Sequence, residues 1–261
     1  MSTSNRQFSV ALEALAEMKM ETSSHPTQSV SVTPNLNEVL TELGPLPREA
    51  LFLGVASDGL PVLLNLHDPL PGPMLVAGDA GSGKTVFLQT VARALTQTHT
   101  PEDVQFGVIT AHADEWESIG ETHHRVGIFS PHHENSWEFL SSLTSWAHSN
   151  KTVRQSVVLL IDDLEAVAGL DFDTLQNLRW LLLRGPSRRV WPIITMNAER
   201  YGQVIAWIQI FRARVFGRIG NERVAAALGG DRSSGLNQLQ AGHQFSLREN
   251  GNWLRFWLPS L

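Results

Sequence analysis

The sequence contains no cysteine, which excludes disulfide bonds and metal sites built from thiolates. It has no apolar run near the ~20 residues that a helix needs to cross a bilayer. Its first ten residues, MSTSNRQFSV, lack the apolar segment of a secretory signal peptide. We therefore expect a soluble, cytoplasmic protein without a membrane span. Its 261 residues, 42% of them hydrophobic, suffice for one large α/β domain.

Lysine is scarce as well, since only three of the 20 basic residues are lysines. One of them, Lys84, stands in a glycine-rich stretch. The eight residues Gly78–Thr85 (GDAGSGKT) fit the phosphate-binding pattern G-x-x-x-x-G-K-[ST], called Walker A, at every specified position. Glycines let the backbone turn tightly and approach phosphate closely. Successive N–H groups, together with the positive end of the following helix, then bind the anion.

The surroundings of this motif have the order that a phosphate-binding loop requires. Met74–Ala77 is an apolar run typical of a buried parallel strand, and Val86–Leu95 has the periodicity of a helix. A glycine turn without a ligand is the alternative interpretation, which the flanking strand and helix disfavour. In a phosphate site, Lys84 reaches the β- and γ-phosphates of ATP and the Thr85 hydroxyl coordinates Mg²⁺. The predicted nucleotide-binding residues are Gly78, Asp79, Ala80, Gly81, Ser82, Gly83, Lys84, Thr85 and Val86.

A second motif, Val157–Asp163 (VVLLIDD), is an apolar strand that ends in two acids, the Walker B pattern. The carboxyl end of a buried parallel strand opens onto the ligand crevice. Asp162 is therefore the predicted Mg²⁺ ligand, directly or through water, and Asp163 the group that orients the attacking water. Asp163 has an alternative role as N-cap of a helix starting at Leu164. Glu165 is an alternative acid.

The next predicted strand ends at Met196-Asn197. At that point P-loop ATPases place a polar sensor between the attacking water and the γ-phosphate. Asparagine is equally common as a helix N-cap. For Asn197 the two interpretations remain open.

The order of predicted elements gives the fold class. Strands and helices alternate from the P-loop onward, which predicts an α/β fold with a mainly parallel sheet covered by helices on both faces. Helices are predicted over Thr174–Leu183, with Thr174 as the candidate N-cap, and over Tyr201–Phe211. A β-hairpin precedes this core at Ala50–Ala56 and Pro61–Leu66, and another follows at His243–Leu247 and Trp253–Trp257 around Asn250-Gly251. We expect a flexible segment over residues 1–32, a helix and hairpin lead-in over 33–72, and the core over 73–261, with 33–261 forming a single domain.

Charge is distributed unevenly along the chain. Residues 1–177 contain 8 Lys and Arg against 22 Asp and Glu, whereas residues 178–261 contain 12 Arg against 4 acids. Such asymmetry is typical of a surface that faces a polyanion. It also fits two halves of one fold that attract each other, or complementary subunit surfaces, so the pattern leaves these interpretations open.

From residue 50 to 258 the chain resembles the FtsK/HerA class of P-loop ATPases. A hairpin with a glycine-containing turn (LFLGVASDGLPVLLNL) comes before PMLVAGDAGSGKT, and the likeness continues through LLIDDLEAV, RGPSRRVWPIITMN and RARVFGRIGNERVAAALGG. The C-terminal AGHQFSLRENGNWLRFWLP completes it. The resemblance implies a RecA-like core, ATP and Mg²⁺ as cofactors, and assembly into a ring, usually a hexamer.

The sequence also departs from the class. In the class the Walker B motif usually ends in Asp-Glu, whereas in this sequence it ends in Asp162-Asp163. The usual Thr-Gln of the sensor is replaced here by Met196-Asn197. The arginine that acts on a neighbouring subunit's nucleotide lies near the corner before the sensor strand. Arg188 is our first candidate for it, with Arg184 and Arg189 close by and a basic surface loop as the alternative.

The resemblance implies a motor-type ATPase that hydrolyses ATP as a ring, with DNA as a candidate partner. The alternative is a nucleotide-dependent assembly or regulatory module of a secretion or packaging machine, which turns ATP over slowly. The shorter second acid of the Walker B motif favours that alternative.

Overall fold

The computed structural model of the protein describes residues 34–150, 154–231, 233–249 and 252–261. The predicted flexible segment over residues 1–32 and the predicted Asn-Gly turn at 250–251 lie outside these ranges. No helix among the described residues combines the length and the apolar character needed to cross a membrane.

Ten strands of the described residues join one sheet. Each of the central strands is an apolar run, as expected for strands that are covered on both faces. The strands are β1 Ala50–Ala56, β2 Pro61–Asn65, β3 Met74–Gly78, β4 Val104–Thr110, β5 Arg125–Phe129, β6 Ser156–Asp162, β7 Val190–Asn197, β8 Ala213–Phe216, β9 Gln244–Glu249 and β10 Asn252–Trp257.

The sheet has the strand order β2-β1-β10-β9-β8-β3-β7-β6-β4-β5. The six strands from β8 to β5 are parallel to one another. The hairpins β1–β2 and β9–β10 pair with each other, and β9 joins the core by pairing antiparallel with β8. The predicted α/β fold with its two flanking hairpins is confirmed, and both hairpins extend the central sheet.

The helices follow the sequence pattern with shifted ends. The α-helices are α1 Leu36–Leu43, α2 Lys84–Thr98, α3 Glu134–Ser149, α4 Leu164–Val167, α5 Phe172–Arg184, α6 Ile205–Ile208 and α7 Glu222–Ala227. Short 3-10 helices cover Ala113–Ile119, Pro186–Arg188, Ala198–Gln203 and Leu236–Gln238.

Helices cover both faces of the sheet, because successive side chains of each strand point in opposite directions. Along β6, Val158 and Leu160 belong to the same apolar core as Phe87 of α2. Leu159 belongs to the core on the other face, which includes Leu181 of α5.

Strands β3, β6 and β7 position the candidate site. They are adjacent and parallel, so their carboxyl ends meet at one edge of the sheet. The register pairs Gly78 at the end of β3 with Asn197 at the end of β7. The acid-tipped end of β6, with Asp162 as its last residue, lies beside them.

Two details of the predicted helices are wrong. Thr174 is not an N-cap, because Asp171 accepts a hydrogen bond from the Thr174 N–H at 3.0 Å and the helix begins at Phe172. The helix predicted over Tyr201–Phe211 is replaced by the 3-10 helix Ala198–Gln203 and the single turn of α6. The apolar residues of this segment contact the core, but the segment does not form one continuous α-helix.

Phe87 ties the P-loop helix to the C-terminal hairpin. Its ring centroid lies 5.3 Å from that of Phe245 and 6.3 Å from that of Phe256, and all three side chains are buried. We expect Phe87→Ala to lower the free energy of unfolding by about 3–5 kcal/mol, because it removes a large buried ring and leaves a cavity. Urea unfolding followed by circular dichroism measures this change.

The matched control is Phe172→Ala, since the Phe172 side chain is 73% exposed at the start of α5. Its effect should stay within about 0.5 kcal/mol, as for most surface substitutions. Equal losses in the two variants would contradict the packing described here.

Candidate nucleotide-binding site

The loop between β3 and α2 has a backbone that requires glycine. Gly83 has a φ of +93°, in the region that L side chains avoid. A Cβ at Gly83 would also overlap the carbonyl of Gly242. Two independent features therefore require glycine at this position: the positive φ and the close approach of the Gly242 backbone.

Two distant segments hold this loop in place. The Asp79 N–H donates to the Arg218 carbonyl at 2.9 Å, and the Asp79 carboxylate accepts from the Gly220 N–H at 2.7 Å. From the other side, the Gly242 N–H donates to the Ser82 carbonyl at 3.1 Å. The residues after β8 and before β9 thus fix the shape of the loop before any ligand arrives.

Polar groups of the loop and of the first turn of α2 surround the concave side of the loop. No side chain among the described residues caps the N-terminus of α2, so its first N–H groups remain available to an anion. The Lys84 ammonium donates to the carbonyls of Gly78 and Asp79 at 3.1 and 2.9 Å. Burial lowers the pKa of Lys84, and the carboxylates of Asp162 and Asp163 oppose that shift. The geometry is that of a phosphate cradle.

The acid of β6 meets the hydroxyl of the P-loop helix. Thr85 Oγ1 donates a hydrogen bond of 2.8 Å to Oδ2 of Asp162, although 77 residues separate them. Hydroxyl and carboxylate oxygens are the ligands that Mg²⁺ prefers. These two side chains fit a metal bound beside the phosphates, as the sequence predicts.

Asp163 has an unusual backbone. Its φ and ψ are +91° and 94°, a conformation that is strained for any residue with a side chain. Its N–H donates to Thr195 Oγ1 at 2.8 Å. It precedes α4, but its side chain forms no capping hydrogen bond with that helix, so the geometry does not support the alternative role as an N-cap.

Asn197 and Glu165 lie on the third side of the site. The Asn197 N–H donates to Glu165 Oε1 at 2.9 Å, and the Asn197 side chain accepts from the Glu199 N–H at 3.1 Å. Asn197 therefore acts as the N-cap of the 3-10 helix, one of the two roles left open by the sequence. Burial, and then the neighbouring carboxyl of Asp163, raise the pKa of Glu165 to about 8.

Arg188 lies at the opposite edge of the sheet. It precedes β7, whose eight residues span roughly 20–25 Å at ~3.3 Å per residue. Arg184 and Arg189 precede the same strand, so none of the three side chains reaches the P-loop of its own chain. An action on nucleotide from this turn requires a second copy.

Arg189 lines a cleft of about 300 Å³ at that edge, together with Arg48, Arg154 and His67. Its Nη1 atom is buried without a hydrogen-bond partner among the described residues. Burial, followed by the positive charges of Arg189 and Arg154, lowers the pKa of His67. The cleft thus contains three arginines and two acids: Arg48 pairs with Asp103, whereas Arg189 has a buried donor without a partner among the described residues.

Sequence reasoning missed three residues of the site. Gly220 and Gly242 hold the P-loop through backbone groups, for which the sequence carries no local signal. Thr195 contacts both Walker B acids, and its signal was a lone hydroxyl within the apolar strand VWPIITMN.

The FtsK/SpoIIIE family model matches residues 50–132 of this chain, which include β1 to β5 and the P-loop. The resemblance to P-loop ATPases of the FtsK/HerA type is confirmed. No curated protein sequence matches the chain.

Solved structures of FtsK/HerA-type ATPases share its fold. A structure of ATPases 2 and 3 of EccC from Thermomonospora curvata, in complex with a signal sequence peptide, has 16% identity and a TM-score of 0.69, over 91% of this chain and 45% of that one. EssC ATPases 2 and 3 from Geobacillus thermodenitrificans have 12% identity and a TM-score of 0.66, over 91% and 48%. VirB4 of Thermoanaerobacter pseudethanolicus has 9% identity and a TM-score of 0.58, over 84% and 98%.

The TM-scores show a common fold, the RecA-like P-loop ATPase fold expected from the sequence. The chain spans less than half the length of the EccC and EssC structures that it matches. Their activities, substrates and partners are not carried over by the fold alone.

Glu165 makes stability depend on pH. Its folded pKa of about 8 lies above the ordinary value of 4.5, so the folded state retains a proton that the unfolded chain releases between these values. The contribution of Glu165 to the free energy of unfolding therefore decreases as pH rises from 4.5 to 8. We expect Glu165→Gln, which keeps an oxygen for the Asn197 N–H, to raise the melting temperature relative to the wild type progressively between pH 5 and 9.

Thermal unfolding at a series of pH values measures this difference. The exposed Glu138 of α3 provides the control, and Glu138→Gln should follow the wild-type profile throughout. A Glu165→Gln profile parallel to that of the wild type would show that the Glu165 carboxyl does not titrate as described.

Proposed function

We propose that this chain binds ATP with Mg²⁺ and hydrolyses it as a motor-type ATPase of the FtsK/HerA class. The observation that supports this most strongly is the 2.8 Å contact between Thr85 and Asp162, directly beside a phosphate cradle. A glycine-lined loop alone would bind an anion. A loop joined to an acid-tipped strand also offers oxygen ligands for the metal that accompanies ATP.

Each site residue has a proposed role. Lys84 and the loop amides from Gly78 to Val86 bind the phosphates, while Thr85 and Asp162 hold Mg²⁺. The bound metal would neutralise charge on the phosphate oxygens. Asp163 orients and polarises the attacking water. Asn197 is the proposed polar sensor at the end of β7, between the attacking water and the γ-phosphate. Its side chain also caps the following 3-10 helix.

We propose further that the functional form is a ring, with six copies as the expected number. The turn before β7 lies too far from its own P-loop, so its arginines become useful only against a neighbouring copy. Arg188 is the residue expected from the sequence. Arg189 is supported by its position in the cleft at that edge.

DNA is the partner proposed for the motor, and the basic composition of residues 178–261 is consistent with a polyanion. The second candidate is a slowly hydrolysing module of a secretion or packaging machine. It is supported by the short, strained Asp163 and by the fold shared with EccC, described as a type VII secretion ATPase. Both candidates place the protein in the cytoplasm, and they differ in whether DNA stimulates turnover.

Two substitutions separate nucleotide binding from hydrolysis. Lys84→Ala should abolish ATP binding in calorimetry, because it removes the ammonium that faces the phosphates. Asp163→Asn should retain binding with the affinity changed less than about threefold, and lower the rate of phosphate release by 10²-fold or more, since the base is lost.

Unchanged ATP binding by Lys84→Ala would contradict the assignment of the cradle. Wild-type rates of phosphate release from Asp163→Asn would contradict the role of Asp163. Measuring the wild type with and without DNA in the same assay separates the motor from the slow module.

The arginines are tested by mixing subunits. We expect Arg188→Ala or Arg189→Ala to keep ATP binding and to lose turnover by 10²-fold or more, because a trans-acting arginine contributes only to the transition state. Addition of Lys84→Ala subunits, which cannot bind ATP but still supply the arginines, should then restore phosphate release.

Arg179→Ala serves as the control, since Arg179 is an exposed residue of α5. Full turnover in both the Arg188→Ala and the Arg189→Ala variants, or a loss that mixing does not restore, would contradict an action of this turn on a neighbouring copy.

A further inference from the structure

Thr195 contacts both acids of the Walker B motif through one hydroxyl. Its Oγ1 donates a 2.8 Å hydrogen bond to Oδ1 of Asp162 and accepts one of 2.8 Å from the N–H of Asp163. The residue is 1% exposed and lies in β7, next to β6 in the sheet. It carries the only hydroxyl of that strand.

The first of these contacts orients the Asp162 carboxylate. Thr85 bonds to Oδ2 of this carboxylate and Thr195 to Oδ1, each at 2.8 Å, so both oxygens are engaged from opposite sides. A carboxylate held at one oxygen can rotate, whereas one held at both has a fixed plane. Partners of this kind around a metal ligand typically change metal affinity or activity 10- to 100-fold when they are removed.

The second contact restrains the Asp163 peptide. Asp163 has a φ of +91°, which persists only where the surroundings impose it. The bond from its N–H to Thr195 is a restraint of this kind, and it comes from a different strand. Without it, the backbone of Asp163 is free to relax, and its carboxylate moves with it.

Only a hydroxyl serves both contacts at this size. A hydroxyl donates one hydrogen bond and accepts others, which matches one carboxylate oxygen and one N–H group. Valine has nearly the same shape but makes neither bond. Serine makes both bonds and lacks only the methyl group. Comparing the valine and serine substitutions therefore separates the effect of hydrogen bonding from that of packing.

We propose that Thr195 is a positioning residue of the ATP site, which sets the geometry of the metal-binding Asp162 and of the water-orienting Asp163 together. This inference rests on the proposed function, because it assumes that the two acids act on Mg²⁺·ATP. It adds a residue outside both Walker motifs and outside the sensor position at Asn197.

The test compares Thr195→Val and Thr195→Ser with the wild type and with Thr144→Val. Thr144 is a matched control, since it is 7% exposed and its hydroxyl, among the described residues, bonds only to the Leu140 carbonyl within α3. Three quantities are measured for each: kcat for phosphate release, ATP affinity without Mg²⁺, and the factor by which Mg²⁺ tightens ATP binding. Thermal unfolding verifies that each variant is folded.

We expect Thr195→Val to lower kcat by about 10- to 100-fold and to reduce the tightening by Mg²⁺. ATP affinity without Mg²⁺ should change less than about twofold, because the cradle is untouched. Thr195→Ser should recover kcat to within about fivefold of the wild type, and Thr144→Val should match the wild type in all three quantities.

A Thr195→Val variant with wild-type kcat and wild-type Mg²⁺ dependence would overturn the proposal. So would a Thr195→Ser variant as impaired as Thr195→Val, since packing of the methyl group would then explain the loss. If the wild type binds Mg²⁺·ATP but releases no phosphate, the proposed hydrolysis fails, and the Mg²⁺ dependence of binding alone decides the role of Thr195.

Discussion

The contact between the Thr85 hydroxyl and the Asp162 carboxylate is the interaction on which the site depends. It joins the first turn of α2 to the end of β6, two elements that are far apart in sequence. The parallel register of β3, β7 and β6 makes this contact possible, because it places all three carboxyl ends at one edge. A packed sheet therefore supplies what a catalytic arrangement needs, namely groups fixed before the ligand arrives.

The rest of the molecule supports this edge from several directions. Phe87 packs α2 onto the rings of the C-terminal hairpin, and Gly242, just before that hairpin, donates to the P-loop. Thr195 restrains both acids, and the strain at Asp163 shows how closely their positions are determined. The C-terminal hairpin thus packs directly against the P-loop and its helix.

Much of this arrangement could be predicted from the sequence, because the Walker motifs are local patterns with fixed chemistry. Their strand and helix context and the two hairpins were predicted from periodicity and turn residues, and are confirmed. Cap positions such as Asp171 in place of Thr174 depend on the backbone of one turn, which periodicity does not resolve. The contacts of Thr195, Gly220 and Gly242 depend on strand order, which a single sequence does not reveal.

The separation of Arg188 from the P-loop also follows from strand direction. An arginine of this turn can therefore act only on the nucleotide of a second copy. The proposed role of Thr85 and Asp162 in holding a metal-bound triphosphate is tested most directly by Mn²⁺ binding to the protein with a non-hydrolysable ATP analogue, measured by electron paramagnetic resonance. We expect one Mn²⁺ per chain, bound more tightly than by the free analogue and about 10- to 100-fold more weakly in Asp162→Asn. Folded protein that leaves Mn²⁺ binding to the analogue unchanged would contradict it.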